Sequence, residues 1–351
     1  MFLTIISFIF VHEFGHFISA KKFDIRVEEF SLGFGPKLIS HKKGETLYSL
    51  RLFPLGGFCN LTGENIPDDS LDSMNKEKRN IYEQTLKNGR CFHQKSPLKK
   101  FLVIFMGPLM NFLLALFIFI LFFSLIGVPA PNESSIIGEV ISETPAQEAG
   151  LQAGDEIKKI NSISVDNWED MTEIIRNNHG EKIIIEYERN NTIHSTELVP
   201  VYDEDVGGGI IGIRASLIRE RVGPITAIKS AVVEFGLVIY YTVAGFATII
   251  SERTAEGVGG PVMIASMTGE AARVGFYYLL HFIAVISINI GFINLLPIPA
   301  LDGGRLLFIS VEMIRGKPVA PEKEGFIHFI GFIILLFLII LIIYQDIIEI
   351  F

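Results

Sequence analysis

The chain contains 351 residues, of which 49% are hydrophobic and 20% charged, and its mean hydropathy is +0.43. This composition excludes an intrinsically disordered chain. With 39 acidic against 30 basic residues, a net charge of −9 and no basic stripe, nucleic acid is excluded as a partner. Two cysteines, Cys59 and Cys91, do not make a disulfide framework. The composition therefore indicates a polytopic membrane protein that carries at least one polar domain.

Runs of about 20 mostly apolar residues, the length that a membrane-spanning helix needs, occur at four places. A fifth segment, residues 225–250, contains Lys229 and Glu234 and can either span the membrane or lie in its interface as an amphipathic helix. We predict a polytopic α-helical membrane protein with four transmembrane helices. The predicted spans are residues 1–20, 101–128, 276–299 and 327–344.

The first predicted span contains the strongest local motif, Val11-His12-Glu13-Phe14-Gly15-His16. On a helix, His12 and His16 lie one turn apart on one face, so both imidazoles can reach the same metal ion. Glu13 can then take a proton from a water bound to that metal. A polar cluster that only holds helices together is the alternative, but such residues are costly in an apolar helix. The motif therefore predicts a metal site.

The loop after the first span contains two segments with strand-like or turn-like patterns. Residues 46–53 alternate in polarity and predict a strand, which residues 54–57 end in a turn. Residues 31–36 are a second apolar segment punctuated by glycines. Each segment can be a hairpin at the membrane surface or can offer a strand edge near a site in the membrane. The side chains on one side of the predicted strand are Tyr48, Leu50 and Leu52.

The segment between the second and third spans has the pattern of a small α/β domain. Strand-like runs occur at residues 136–141 and 183–187, with a helical pattern at residues 166–177 between them. Residues 144–155 predict a short helix and a turn before a strand at residues 156–160. The apolar face of the longer helix contains Trp168, Met171, Ile174 and Ile175.

The sequence Ala149-Gly150-Leu151-Gln152-Ala153-Gly154-Asp155, with Asn161 after the following strand, resembles the core of PDZ domains of the bacterial protease type. A PDZ domain presents a sheet edge and a groove that accept an added peptide strand. The resemblance implies a PDZ-like domain at residues 129–205 whose groove can take a peptide ligand. A spacer domain with an unused groove is the alternative.

A second chemical motif follows the third span, at residues 294–304. Pro297 and Pro299 break a helix there, and the freed backbone groups are tolerated in a membrane only against protein or water. Catalytic zinc usually has three protein ligands and one position open for water, so Asp302 is the candidate third ligand. A kinked span that ends in an aspartate cap is the alternative.

Charge asymmetry predicts the orientation of the spans. Residues 21–100 contain 15 basic and 10 acidic residues, whereas residues 128–200 contain 5 basic and 14 acidic residues. Because basic loops remain in the cytoplasm, we expect the first loop inside and the second outside, with both termini outside. Four spans then bring Asp302 to the same side as the two histidines. The metal site therefore favours an interfacial position for residues 225–250.

Together these motifs resemble those of the site-2 protease family of intramembrane zinc metalloproteases, and within it the bacterial RseP and RasP type. The resemblance covers nearly the whole chain. One departure is that the gammaproteobacterial members have two tandem PDZ domains, whereas this chain has room for one, so a sieve of two domains is not expected. The residues that carry the resemblance are His12 to His16, Gly107-Pro108-Leu109-Met110-Asn111, the PDZ-like domain, Gly260-Pro261-Val262 and residues 294–303.

The resemblance implies one Zn²⁺ ion held by His12, His16 and Asp302, with Glu13 as the catalytic glutamate. It also implies a membrane-re-entrant loop at Gly33 and Gly35 and pairing of the strand 46–53 with substrate. The residues that it implies in substrate binding are Asn289, Asn294, Gly33, Tyr48, Leu50 and Leu52.

The implied function is cleavage of transmembrane segments of single-span membrane proteins, such as anti-sigma factors or remnant signal peptides. The implied place is the bacterial cytoplasmic membrane, with lipid around the spans, the PDZ-like domain outside and the active site open toward the cytoplasmic side. A catalytically inactive PDZ-bearing scaffold or chaperone, and a transporter, are the alternatives. The predicted regions are residues 1–128 and 273–351 in the membrane, the PDZ-like domain 129–205, and a linker with the interfacial helix at 206–272.

Overall fold

The computed structural model describes residues 2–64, 76–132, 134–204, 206–252 and 259–350. These ranges contain ten α-helices and twelve β-strands, numbered here in chain order. They form two compact units, one of residues 1–122 with 228–351 and one of residues 123–227.

The first unit combines long apolar helices with a two-stranded sheet and contains both predicted chemical motifs. Residues 123–126 and 224–227, at the ends of two of its helices, are assigned to the second unit. Its elements are α1 (Phe2–Lys22), β1 (Val27–Lys43), β2 (Thr46–Leu61), α2 (Lys76–Lys87), α3 (Pro97–Ile126), α6 (Pro224–Glu252), α7 (Pro261–Val274), α8 (Phe276–Leu295), α9 (Asp302–Arg315) and α10 (Pro321–Ile350).

Four helices are long and apolar enough to cross a membrane among the residues that the structure describes: α3, α6, α8 and α10. The predicted spans 101–128, 276–299 and 327–344 fall largely within α3, α8 and α10. The predicted first span forms the 21-residue helix α1, although Met1 lies outside the described residues. These helices fit a membrane protein, as the composition predicts.

Helix α6 lies alongside α8 and runs in the same direction. Three successive contacts join the two helices in register. Because contacts that advance together along both helices require nearly parallel axes, α6 has the orientation of α8 and does not lie across it. Its length and apolar composition are those of a candidate span, and the interfacial position of residues 225–250 stays a prediction. The contacts are Glu234 with His281 at 2.9 Å, Thr242 with Asn289 at 2.7 Å, and Phe246 with Phe292 at 5.2 Å between ring centroids.

The path of the chain from α6 to α8 bears on the position of Asp302. A crossing at residues 225–250 with no return before α8 would leave Asp302 on the opposite side from the histidines. In the structure, residues 259–275 with α7 return the chain from α6 to the beginning of α8. Asp302 therefore reaches the histidines although α6 is parallel to α8. Residues 253–258 of the predicted linker lie outside the described residues.

Strands β1 and β2 form one sheet in which the beginning of β2 is central. Residues 47–50 lie between residues 29–32 and residues 39–42 of β1, so both of their edges are paired. The end of β2, residues 57–61, pairs with the other side of the same stretch of β1. In the described part of the chain, no strand pairs with the outer edge of residues 57–61. This outer edge is the free strand edge of the sheet.

The strand does not end in a turn at residues 54–57, as the polarity pattern predicts, but continues to Leu61. Gly33 has a left-handed φ of +86°, and a Cβ there would lie 2.7 Å from the carbonyl oxygen of Phe53. Glycine therefore permits the close crossing of the two strands. The far end of the sheet exposes the apolar side chains Phe34, Leu38, Ile39, Leu52 and Phe53.

Polar contacts hold the end of α1 to the sheet. Glu45, in the turn between β1 and β2, accepts hydrogen bonds from Arg90 at 2.8 Å and from Lys21 of α1 at 2.6 Å. Arg90 also bonds Asp24 at 2.7 Å. The hydrogen bonds from Arg90, and then those from Lys21, lower the pKa of Glu45 to about 2. The carboxylate is therefore ionised at neutral pH.

The second unit is a small α/β domain, and the strands and helix predicted in it are present. The predicted strand 156–160 is β5, and the predicted helix 166–177 is α5, whose Asn167 caps it by accepting a hydrogen bond from the Asp170 backbone N–H at 2.8 Å. Met171 and Ile175 of α5 are buried in the core, with Trp168 and Ile174 packed against it.

The sheet of this unit has the strand order β6-β5-β7-β8, and three further strand pairs flank it. The unit extends beyond the predicted boundary at residue 205, because β10 to β12 pair with β9, β4 and β3. Its elements are β3 (Val128–Pro131), β4 (Ile137–Val140), α4 (Pro145–Glu148), β5 (Glu156–Ile160), β6 (Ile163–Ser164), α5 (Trp168–Asn177), β7 (Ile183–Arg189), β8 (Thr192–Leu198), β9 (Val201–Asp203), β10 (Gly208–Ile210), β11 (Ile213–Ala215) and β12 (Leu217–Glu220).

Candidate metal centre

Helix α1 presents His12 and His16 on one face, toward α3. Two glycines allow the helices to approach closely: a Cβ at Gly15 would lie 2.3 Å from the Met106 carbonyl oxygen, and one at Gly107 would lie 2.2 Å from His16 Nε2. His16 is buried, and the Nε2 atoms of the two histidines are 3.3 Å apart. Helical spacing therefore brings the imidazoles together, as the motif predicts.

Asp302 is the first residue of α9 and follows a tight loop after α8. The loop packs closely on the beginning of α9, since a Cβ at Gly303 would lie 2.0 Å from the Leu296 carbonyl oxygen. Asp302 Oδ2 lies 3.0 Å from His12 Nε2 and 3.3 Å from His16 Nε2. The three predicted ligand residues thus meet at one point, although they come from opposite ends of the chain.

Each histidine has a contact to its second ring nitrogen. His16 Nδ1 lies 2.9 Å from the carbonyl oxygen of Val103, which can only accept, so in the neutral ring Nδ1 carries the proton and Nε2 keeps a free lone pair. His12 Nδ1 lies 3.4 Å from the side-chain amide nitrogen, Nδ2, of Asn111 in α3. A 180° turn of this amide places its oxygen against the ring, where it accepts the Nδ1 proton and leaves Nε2 of His12 available as well.

The cluster fits a metal ion. Its potential ligand atoms, two imidazole nitrogens and one carboxylate oxygen, all lie within 4.8 Å of one another. Asp302 Oδ2 is buried and accepts no hydrogen bond from the described residues. A buried carboxylate oxygen without a donor is costly, and a cation between the three atoms would satisfy it. Two nitrogens and one oxygen are a ligand set that catalytic zinc takes.

A cavity of about 340 Å³ opens beside this cluster. Glu13 lines it together with all three candidate ligands, so the predicted base and the predicted ligands face one space. A Cβ at Gly57 would lie 3.0 Å from Glu13 Cγ, which places the end of β2 directly beside the glutamate. Cys59 and Leu61, in the free-edged stretch of β2, also line the cavity.

The predicted substrate-binding residues are not part of the cavity lining. Asn289 accepts a hydrogen bond from Thr242 of α6 at 2.7 Å. Tyr48 and Leu50 lie in the central stretch of the sheet, whose backbone is paired on both sides. An added strand needs an unpaired edge, which residues 47–50 do not offer in this arrangement of the sheet. Pairing of strand 46–53 with substrate stays a prediction. The residues outside the lining are Asn289, Asn294, Gly33, Tyr48, Leu50 and Leu52.

Three polar residues that the sequence patterns do not single out also line the cavity: Glu64, Arg305 and His328. Glu64 and Arg305 form an ion pair, and the Glu64 carboxylate raises the pKa of the Arg305 guanidinium. His328 comes from α10. The sequence signal for it is a polar residue inside the apolar run 327–344, where polar side chains are rare without a function.

Two histidines and an aspartate around a cavity, with a glutamate between long apolar helices, define the class of metal-dependent membrane hydrolases. The family model for peptidase family M50 matches residues 1–338. The chain therefore belongs to peptidase family M50, the site-2 protease family, which confirms the resemblance of its motifs.

Curated relatives match the chain over nearly its full length. It is 34% identical to zinc metalloprotease RasP of Geobacillus kaustophilus, an alignment that covers 98% of this chain and 97% of that protein. It is 30% identical to the regulator of sigma-W protease RasP of Bacillus subtilis, with 99% of both chains covered. Among solved structures, a PDZ domain of an SdrC-like protein from Listeria monocytogenes matches 25% of this chain and 93% of its own, at 20% identity and a TM-score of 0.22.

Proposed function

We propose that this protein is a zinc metalloprotease of the bacterial cytoplasmic membrane that hydrolyses peptide bonds within transmembrane segments of single-span proteins. The observation that carries the proposal is the convergence of His12, His16 and Asp302 on one point beside Glu13. The relatives' names, zinc metalloprotease and regulator of sigma-W protease, support the metal and the reaction.

The proposed ligands are His12 Nε2, His16 Nε2 and an oxygen of Asp302. The chemistry that bound zinc supplies is polarisation of a carbonyl oxygen and activation of a water molecule. Val103 and Asn111 hold the two imidazole rings in the orientation that directs Nε2 toward the common point. The ligands are thereby positioned before the metal binds.

Glu13 acts as the general base and acid. As the water oxygen bonds to the peptide carbonyl carbon, its proton passes to the Glu13 carboxylate. The carbon–nitrogen bond then breaks, and Glu13 gives the proton to the leaving amine. Glu13 is half-buried and lines the cavity beside β2, so its carboxylate can reach a reacting bond held there.

The substrate is proposed to bind in an extended form along residues 57–61. A helical substrate satisfies its own amides internally, so the segment that is cut must unwind and find new hydrogen-bond partners. The outer edge of residues 57–61 offers such partners and borders the cavity at Cys59 and Leu61. Apolar side chains at the far end of the sheet support a position of this sheet within the lipid. A role for Asn289 and Asn294 in handling the substrate stays a prediction.

The test of this function is cleavage of a model single-span protein by the purified enzyme in detergent, with zinc content measured by mass spectrometry. We expect about one zinc per chain, and we expect Glu13→Gln to keep the zinc but to lose cleavage by at least about 10²-fold. Glu234→Gln, an equivalent change in the apolar helix α6, is the matched control and should cleave at the wild-type rate. Cleavage by Glu13→Gln at the wild-type rate would contradict the proposed mechanism.

The second unit is proposed to be a PDZ-like domain outside the cytoplasm. Its α5 and the strands around residues 209–213 line a cavity of about 250 Å³ with the apolar side chains Ile141, Trp168, Ile175, Ile211 and Ile213. Such a groove suits an extended apolar peptide. Isothermal titration of residues 123–227 with C-terminal peptides of candidate substrates tests peptide binding. Cysteine labelling from either side of the membrane tests the orientation.

An inactive scaffold is the second candidate for a protein with this domain. It requires no metal, so the convergence of three ligand atoms and the hydrogen-bond contacts behind the histidines do not favour it. Zinc content and the Glu13→Gln comparison separate the two candidates directly.

A further inference from the structure

His328 is a polar group of the metal cavity to which the proposed mechanism gives no task. It lies in α10, far along the chain from the other cavity histidines, and its ring leans against Phe308 at 5.5 Å between centroids. It lines the same cavity as Glu13 and the three candidate ligands. A histidine at this position therefore faces the space in which the peptide bond is to be cut.

The Nδ1 atom of the His328 ring acts as a hydrogen-bond acceptor. His328 Nδ1 accepts a hydrogen bond from the backbone N–H of Ala300 at 2.9 Å. Ala300 has a left-handed φ of +79°, a conformation that a non-glycine residue adopts only when its surroundings hold it there. One turn further along α10, a Cβ at Gly331 would lie 2.4 Å from Pro299, so the helix packs directly on this loop. α10 thus supports the loop that leads to Asp302.

This bond determines the state of the other nitrogen. Because Nδ1 accepts, it carries no proton, and the neutral ring must carry its proton on Nε2. Nε2 is buried and makes no hydrogen bond to any described residue. Glu324 Oε1, its nearest carboxylate, is 4.0 Å away, beyond hydrogen-bond distance. The structure therefore holds a buried, unsatisfied N–H donor on a ring that lines the cavity.

A buried donor without a partner destabilises the fold, so a protein keeps one where the donor serves a function. We propose that His328 contacts the substrate, and that its Nε2–H donates a hydrogen bond to the carbonyl oxygen of the peptide bond that is cut. Negative charge develops on this oxygen as the water attacks, and a preorganised neutral donor stabilises it. This assignment rests on the proposed function and adds a residue to it.

Three substitutions separate the roles of the two ring nitrogens. In His328→Asn the amide oxygen replaces Nδ1 and can accept from Ala300, while nothing replaces Nε2. In His328→Gln the longer side chain places an amide N–H near the position of Nε2. Glu324→Gln, one turn away on the same helix, is the matched control.

For His328→Asn we expect unchanged zinc content, a kcat lower by about 10²-fold and little change in KM. His328→Gln should recover part of the lost kcat, and Glu324→Gln should behave as the wild type. A second readout does not depend on activity: ¹⁵N NMR of histidine-labelled, zinc-free protein should show a neutral His328 ring protonated at Nε2, the signal being assigned by its absence in His328→Asn.

Four results would overturn the assignment: wild-type kcat in His328→Asn, loss of zinc from that variant, an equal loss of kcat in Glu324→Gln, or a ring protonated at Nδ1. These outcomes are distinct from failure of the proposed function. That function fails if the wild-type protein holds no zinc or if Glu13→Gln cleaves normally. An active, zinc-loaded wild type with a fully active His328→Asn removes only the role of His328.

Discussion

At two places in the first unit, a histidine contacts a carboxylate between apolar helices. In the metal centre, His12 and His16 meet Asp302 at 3.0 and 3.3 Å. Between α6 and α8, His281 Nε2 meets Glu234 at 2.9 Å. The contact distances are similar, so distance alone does not identify a metal site.

The two places differ in how many groups converge and in what remains unsatisfied. Glu234 and His281 satisfy each other as a pair, and their side chains are 30% and 38% exposed. In the metal centre two imidazoles face one buried oxygen that accepts no hydrogen bond from described residues, and second contacts direct both rings. Several lone pairs that converge on one buried point without a donor indicate a cation site. A histidine and a carboxylate that satisfy each other, such as His281 and Glu234, only join two helices.

The largest expected effect comes from removing the carboxylate of the metal centre. Asp302→Ala leaves two imidazoles, too few for a catalytic zinc site, so both zinc content and cleavage should fall to background. Mass spectrometry of the purified protein and the single-span cleavage assay measure the two quantities. Full zinc occupancy in this variant would show that Asp302 is not a ligand. The contact of Asp302 with the histidines would then be an ordinary pair like that of Glu234 with His281.

Gly107→Ala should have the next largest effect. The new methyl group would lie 2.2 Å from His16 Nε2 and must displace the ring from the ligand position. We expect zinc affinity to fall by about 10–100-fold, as measured by competition with a chelator. Gly236→Ala in α6 is the control, since a Cβ there meets nothing within 4 Å. An unchanged affinity in Gly107→Ala would show that His16 is not a ligand in this orientation.

Asn111→Leu tests whether the contact behind His12 matters. Loss of the amide leaves His12 Nδ1 without its polar partner, so zinc affinity should fall by about 10-fold while folding is retained. Asn111→Asp keeps an acceptor for the Nδ1 proton and should bind zinc more tightly than Asn111→Leu. Equal affinities for the two variants would contradict the positioning role.

Glu45 is a third carboxylate to compare with Asp302 and Glu234. It lies in a turn and is paired with Arg90 and Lys21. Glu45→Gln should destabilise the protein by about 1 kcal/mol without changing zinc content, as measured by thermal unfolding in detergent. Because the pKa of Glu45 is lowered to about 2 in the folded protein, its contribution is present above the ordinary value of 4.5 and is lost as pH falls from there toward 2. The wild-type and variant unfolding temperatures should therefore converge over that range.

The smallest effect is expected at the closed pair. His281→Gln keeps a hydrogen-bond donor for Glu234 and removes no lone pair from the metal centre, so zinc content and cleavage should remain at wild-type values. Both are measured in the same assays as for Asp302→Ala. Loss of zinc from this variant would mean that the comparison between the two sites does not hold.

The metal centre could be predicted from the sequence because local geometry determines half of it. Helical spacing places His12 and His16 on one face whatever the rest of the chain does. Asp302 required a second motif with two prolines and a family resemblance, since no spacing rule relates residues at opposite ends of a chain. The elements of the α/β unit were also predictable, because β5 and α5 follow their apolar periodicity.

The sequence patterns contain no information where tertiary packing decides. Polarity alternation identifies residues 46–53 as strand but contains no information on which edge is free, and pairing on both sides of residues 47–50 leaves the edge at residues 57–61. The charges of segment 225–250 favour a position in the membrane interface, but they do not reveal that Glu234 pairs with His281 of α8. His328 belongs to no periodic pattern, and only the fold brings it to Ala300.

The separation of the ligands along the chain has a consequence for biosynthesis. His12 and His16 emerge from the ribosome first, whereas Asp302 is translated only after most of the spans and the α/β unit. A nascent chain therefore carries two imidazoles that cannot yet assemble a hydrolytic centre. Proteolytic competence arises late, when α9 docks on α1, and an interrupted translation product cannot cut neighbouring proteins during insertion.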